Sequence, residues 1–240
     1  MRDIFQGFAL AFGMLSTLPF IKVHTFYKGI NGYGVMFYPL VGAFLGAILA
    51  LSYTFLSNFF PPLHVSIMVL ALWVVISGAL HLDGFSDTID GLFVSKQRSF
   101  EVMKDPNIGA MGMIFTLIMI LLKASALLHV SNFFELIFIL MLARYNSVLA
   151  IYLYPYLSKN GMGALAKEEF SSKELFFSTL MVLAILFFSA NALLLLSISL
   201  INLYLLKLFF IKRYGGFTGD IYGFVIEFSE LVLLHVIILL

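Results

Sequence analysis

His81-Leu82-Asp83-Gly84-Phe85-Ser86-Asp87-Thr88-Ile89-Asp90-Gly91 is the stretch on which the reading of this 240-residue chain turns. Asp83, Asp87 and Asp90 stand at i, i+4 and i+7. At roughly 100° per residue they share one helical face, within about 60° of one another. Like charges on one face disfavour an isolated helix. Here they follow a long apolar run, where an ionised carboxylate is costly to desolvate. A divalent cation is the simplest compensation. Hard carboxylate oxygens suit Mg2+, which keeps some waters and binds through a few carboxylates plus substrate phosphates. Gly84 and Gly91 share that face and leave room for a ligand to approach the backbone. The alternative is a solvated acidic turn between two membrane helices. His81 is a candidate proton acceptor or a support for the acids; a satisfied interfacial histidine is the plainer reading.

The composition around this stretch is 62% hydrophobic and 11% charged. Soluble domains carry about 25% charged residues, and the mean hydropathy is +1.04. The expectation is an all-α polytopic membrane protein, a single domain over 1–240, with lipid as its surroundings. A net charge of +1 offers no basic field for nucleic acid. Cysteine is absent, which excludes disulfides, thiolate metal sites and cysteine nucleophiles. No small-residue cleavage site follows Met1-Arg2-Asp3, so the first apolar segment is read as part of the mature protein. A homo-oligomer stays open.

Spanning a bilayer takes about 20 apolar residues. Candidate spans are 4–20, 35–56, 63–82, 108–130, 133–157 and 221–240. The stretch 175–211 suffices for two spans if it turns near Asn191. That gives seven to eight transmembrane helices, the first of them able to span or to lie in the interface. Basic residues test the layout. Lys22 and Lys28, then Lys96, Arg98 and Lys104, then Lys159, Lys167 and Lys173, then Lys207, Lys212 and Arg213 fall in alternate connections. The connections near 57–62, 131–132 and 191 carry none. The positive-inside rule then puts every loop with chemistry, and the active site, at the cytoplasmic interface.

Further candidates lie on that side. The loop 21–34, with Lys22, His24, Lys28 and Asn31, reads as structural. Phe100 and Met103 suggest a short surface helix. Lys104 is a candidate phosphate contact. Asp105 and Asn107 are read both as caps for the helix after Pro106 and as members of the same contact set. Arg144 falls near mid-span, where arginine usually faces a polar cavity; its fork fits a phosphate, or a carboxylate such as Glu227 or Glu230. Lys123 reads as snorkelling toward the outer end. The mixed-charge loop 154–173 is able to close over a ligand. In Lys212-Arg213-Tyr214-Gly215-Gly216-Phe217-Thr218-Gly219-Asp220, Gly216, Thr218 and Gly219 before a helix offer backbone N–H groups to an anion. Asp220 is a possible fourth metal ligand.

Carboxylates for a divalent cation, a glycine-rich turn and basic side chains on one side fit phosphoryl transfer. No Ser-His-Asp set is apparent, so a covalent enzyme intermediate is not indicated. Residues alone stop at a magnesium-dependent membrane transferase acting on a phosphorylated or nucleotide-linked substrate.

Gly78-Ala79-Leu80 running into the 81–91 stretch resembles the signature of the cobalamin synthases, the adenosylcobinamide-GDP ribazoletransferases. The likeness includes Thr17-Leu18-Pro19, Tyr38-Pro39-Leu40-Val41-Gly42, Met103-Lys104-Asp105 with Ile108-Gly109-Ala110, and Gly215-Gly216-Phe217-Thr218-Gly219-Asp220. Phe85, Ser86 and Ile89 stand where other small or apolar residues are expected; the carboxylates are intact. The resemblance implies the last step of cobalamin nucleotide-loop assembly in a bacterial or archaeal inner membrane. A hydroxyl of α-ribazole, or of its 5′-phosphate, attacks the cobinamide-side phosphorus of adenosylcobinamide-GDP, and GMP leaves. It further implies that Asp83, Asp87 and Asp90 hold magnesium, that one of them or His81 accepts the proton, and that Arg144, Lys104 and the 216–220 stretch contact phosphates or guanosine. Two rivals remain. A CDP-alcohol phosphatidyltransferase usually has an arginine soon after its first Asp-Gly and wider aspartate spacing, neither seen here. A divalent cation transporter would hold its site near the midplane.

Overall fold

The computed structural model describes residues 2–19, 21, 23 and 26–239; the readings of Lys22 and His24 fall outside them. The chain is helical: α1 (Arg2–Leu15), α2 (Ile30–Met36), α3 (Tyr38–Leu56), α4 (Pro62–Ser77), α5 (Leu80–Leu92), α6 (Lys96–Val102), α7 (Ala110–His129), α8 (Glu135–Leu153), α9 (Met162–Glu169), α10 (Ser172–Leu186), α11 (Ala192–Tyr214) and α12 (Gly219–Ile237). Among the described residues the one extended pairing is an isolated parallel bridge between Tyr156 and Phe217.

Four helices, α3, α7, α8 and α11, are long and apolar enough to cross a membrane, with a fifth crossing if α4 and α5 form one broken span. A count of seven to eight crossings would need shorter or charged helices as well. α1 and α10 have 14 and 15 residues, about 21–23 Å at 1.5 Å each, short of a hydrocarbon core of about 30 Å. α12 has 19 residues but carries Asp220, Glu227 and Glu230. The stretch 175–211 does break at Asn191, between α10 and α11. Glu135 fastens that turn by accepting from Ser189 Oγ (3.3 Å) and Asn191 Nδ2 (3.1 Å).

α8 is the axis of the bundle. Almost all of its side chains are buried, against α3, α10, α11 and α12. Gly42 and Gly46 of α3, one turn apart, lie directly on the α8 backbone at Leu140 and Leu136, where a Cβ would overlap the carbonyls. Between apolar helices in lipid, such small residues permit the close approach that dispersion forces require.

The continuous span expected at 63–82 is instead broken. Gly78 (φ 68°) and Ala79 (φ 55°) are both left-handed, and α5 leaves α4 at 88°. Ala79 is the only non-glycine with positive φ among the described residues, a conformation costing roughly 1–2 kcal/mol. Thr17 holds the break: its N–H donates to Ile76 O (2.9 Å) and its hydroxyl to Val75 O (2.7 Å), satisfying carbonyls at the end of α4. α5 has 13 residues, about 20 Å, and packs against α12, α7 and α6. Its far end is held by Ser99 Oγ on Gly91 O (2.7 Å), Tyr214 Oη on Gly91 O (3.2 Å) and Arg213 Nη2 on Val94 O (2.8 Å). Arg213 thereby places positive charge at the negative end of the helix dipole.

Single cysteines at the exposed positions Ser95, Ser171 and Lys212 should react with an impermeant maleimide from the cytoplasmic side only, and one at Ser131 from the opposite side only. Opposite labelling of Ser171 and Lys212 would contradict the turn at Asn191.

Candidate active site

α5 forms the helical face that the acid spacing predicts, and it packs along α12. The crossing point is Gly84 against Gly223: a Cβ on Gly84 would lie 2.9 Å from Asp220 O, and one on Gly223 3.2 Å from Gly84 Cα. Two residues without side chains let the helices touch, and that contact brings Asp220 to the acids of α5. Asp83 and Asp220 line one cavity of about 300 Å³. Asp87 is half-buried one turn on. Burial first, then the neighbouring carboxylates of Asp83, Asp220 and Asp90, push its carboxyl up to about 7.

Asp90 has another occupation. Its Oδ2 accepts from Gly109 N and its Oδ1 from Gly112 N, both at 2.8 Å. It is therefore the cap of α7, supplied from a different helix, and satisfies N–H groups that α7 leaves open. The capping expected of Asp105 and Asn107 is not made. Asp105 instead accepts from Asn107 N (2.9 Å) and Nδ2 (2.8 Å), a turn closed on itself at the surface. Lys104 is exposed, and its charge reaches Asp220.

The glycine-rich stretch enters the site as a clamp. Phe217 N donates to Pro155 O and Leu157 N to Phe217 O, both at 2.9 Å, and Gly216 leaves room for Pro155 O and Leu157. Thr218 caps α12 by accepting from Ile221 N (3.3 Å). The Thr218 hydroxyl also lies 3.4 Å from Asp220 Oδ2. The turn thus shapes the cavity wall, with Gly219 and Asp220 lining it.

Behind the acids the interior is polar in a way that hydropathy conceals. Lys123 Nζ meets Glu227 Oε2 (2.6 Å) and Glu230 Oε2 (2.5 Å), and Arg144 Nη1 meets Glu230 Oε1 (2.6 Å). Two cations and two anions make a neutral buried quartet. Lys123 does not snorkel; it is 3% exposed and sits 4.6 Å over the Trp73 ring. Arg144 takes the ion-pair alternative and is fully buried, yet its Nε and Nη2 have no hydrogen-bond partner. Beside it Asn146, Ser199, Asn202 and Ser229 bond to one another across α8, α11 and α12.

His81 is not the satisfied interfacial histidine of the plainer reading. It is 4% exposed, lines the cavity, and neither ring nitrogen has a partner. Sequence reasoning missed Tyr38, Ser147, Tyr156 and Tyr222, which line the same cavity. Tyr38 lies in a stretch already marked by resemblance, and Tyr222 is two residues past Asp220. Nothing in their spacing signals that they converge.

Among the described residues, no three His, Asp or Glu side chains converge closely enough to cage a metal. Magnesium does not need a cage; it takes one or two carboxylates and completes its shell with water and substrate phosphate. Asp83 and Asp220 meet at the cavity with Asp87 one turn on, and carboxylate oxygens are the donor type magnesium takes.

A family model described as cobalamin-5-phosphate synthase matches residues 7–238. The adenosylcobinamide-GDP ribazoletransferase of Stutzerimonas stutzeri (strain A1501) is 38% identical over 212 residues, covering 85% of this chain and 86% of the relative. The enzyme of that name from Trichormus variabilis (strain ATCC 29413 / PCC 7937) is 37% identical over 240 residues, 93% of this chain and 92% of its own. That of Clostridium botulinum (strain Okra / Type B1) is 30% identical over the full length of both. No solved structure matches.

Breaking the quartet tests whether it holds the site in register. Glu230→Gln leaves two cations facing one carboxylate and should destabilise the protein by about 3–5 kcal/mol, read as a lower unfolding temperature in detergent. Glu101→Gln, on the exposed face of α6, should change it little. An unchanged Glu230→Gln melt would show that the quartet is not ionised.

Proposed function

The chain belongs to the cobalamin-5-phosphate synthase family, and from that membership and the geometry we propose that it is an adenosylcobinamide-GDP ribazoletransferase. A ribose hydroxyl of α-ribazole, or of its 5′-phosphate, attacks the cobinamide-side phosphorus of adenosylcobinamide-GDP. The new bond is ribose O–P, the bond to GMP breaks, and the hydroxyl proton passes to a carboxylate at the cavity mouth. The observation that carries this reading is the meeting of Asp83 and Asp220 at one cavity, because they belong to the two most distinctive motifs and lie far apart in the chain.

In this reading Asp83, Asp87 and Asp220 would hold Mg2+, which would supply neutralising charge to the pyrophosphate. Asp90 keeps α7 docked on α5 through its two N–H contacts, which fixes the angle at which the other acids face the cavity. Lys104, exposed and within electrostatic reach of Asp220, flanks the phosphates; Asp105 and Asn107 shape the loop that carries it. Gly216, Thr218 and Gly219 set the start of α12, and with it Asp220. Arg144 acts from behind the cavity, holding α12 through its pair with Glu230. Helix α9, whose Met162 and Gly163 line the cavity, excludes water from it. The positive-inside pattern supports a cytoplasmic face for the site, and an inner-membrane location goes with that reading.

The test is the reaction in nanodiscs. With adenosylcobinamide-GDP, α-ribazole and Mg2+, a corrinoid carrying the lower nucleotide should form with an equal amount of GMP, and chelation should stop it. Asp83→Asn, Asp87→Asn and Asp220→Asn should each lower kcat/KM roughly a hundredfold or more, a loss of about 3 kcal/mol in transition-state stabilisation. Release of GMP without ribazole would reject direct transfer. Product from CDP-diacylglycerol and a small alcohol, with none from the corrinoid, would reject the assignment.

A further inference from the structure

The cavity has two ends of different chemistry. At the mouth stand Asp83, exposed, and Asp220, half-buried. Its deeper wall is apolar and aromatic, with Tyr38, Tyr222, Ile151 and Ile226 all buried. Tyr156 and Tyr222 stack, with ring centroids 5.7 Å apart and planes at 18°. Two side chains on this inner wall are more than nine-tenths buried and lack hydrogen-bond partners: the Tyr222 hydroxyl and both His81 ring nitrogens. Buried polar groups are rarely left so, and both residues belong to the cavity wall.

About 300 Å³ is at the low end for ligand pockets. A corrin macrocycle is several times too large. A guanine edge carries donors and acceptors together and needs several matched partners. A flat, uncharged heterocycle with one acceptor nitrogen suits apolar walls with a hydroxyl and an imidazole. Resting on the reading above, we propose that the cavity seats the nucleophile. The benzimidazole base of ribazole lies against the Tyr156–Tyr222 stack, its unglycosylated ring nitrogen accepts from the Tyr222 hydroxyl, and its ribose points outward to Asp83 and Asp220. Seating the base this way delivers the attacking hydroxyl to the carboxylates before the larger substrate arrives, and His81 becomes a specificity determinant of the inner wall. Gly163 belongs to the device, because its missing Cβ is what lets α9 close onto the Tyr156 ring.

The experiment uses the full chain in nanodiscs. Tyr222→Phe removes one hydroxyl and keeps the ring. It should raise KM for α-ribazole roughly three- to tenfold, leaving kcat within about twofold and KM for adenosylcobinamide-GDP unchanged. Equilibrium dialysis of α-ribazole, with neither metal nor corrinoid present, gives a readout without turnover. Wild-type protein should bind it and free benzimidazole should compete, whereas Tyr222→Phe and Met162→Trp, which puts an indole at the exposed rim, should each weaken it several-fold. A change confined to KM for the corrinoid-GDP would give the cavity to guanosine and overturn the proposal, as would unaltered ribazole binding in both variants. Wild-type ribazole binding weakened by both variants, with no corrinoid product formed, would sustain the subsite and sink the reaction.

Discussion

The bundle is organised around four buried ionisable side chains that pair with one another across three helices. Lys123 of α7, Arg144 of α8, and Glu227 and Glu230 of α12 are each less than 5% exposed and are joined by three ion pairs. Moving any of the three helices by a turn would strand a charge in an apolar interior, at a cost of several kcal/mol. Apolar side chains tolerate such slips far better. The quartet therefore fixes the register of α7, α8 and α12, which dispersion alone would leave loosely specified. Once α12 is fixed, so is the position of its first turn, and Asp220 with it.

A second constraint acts on α5, whose acids would repel one another if left to themselves. It is held at its start by Thr17 through the end of α4, in its middle by the Gly84–Gly223 contact, and at its end by Ser99, Arg213 and Tyr214. Each of these elements comes from a different part of the chain. The stretches that resemble the family outside the acidic one thus have a shared physical task. Thr17 holds the break, the residues before Asp220 clamp the cavity wall, and Gly109 receives the Asp90 cap. They build the frame in which a small number of carboxylates face one opening.

What was legible in the sequence was whatever depends on local period or composition. The i, i+4, i+7 acids on one face, the turn at Asn191 and the all-helical class follow from spacing and hydropathy. The break at 78–79 was not legible, because Ala79 carries no signal for a left-handed conformation and depends on Thr17, distant in sequence. Lys123 was misread because a lysine near a span end ordinarily reaches for water, and its partners lie on α12. Asp90 illustrates the same limit, since local capping rules look within the next few residues and this cap comes from another helix. The converging tyrosines carry no spacing at all. In each case the missing information is a contact between distant segments.

The order of the chain gives the buried quartet a consequence for biosynthesis. An ionisable side chain at the centre of a span costs roughly 3 kcal/mol on insertion, and α12 carries two. It is synthesised after α7 and α8, which already present Lys123 and Arg144. The translocon thus receives an acidic helix whose counter-charges are waiting in the membrane beside it. Correct partition of α12 into the bilayer reports that the earlier helices are in place. The same event brings Asp220 to the acids of α5, so the carboxylate set is assembled only in a chain whose scaffold has already passed that check.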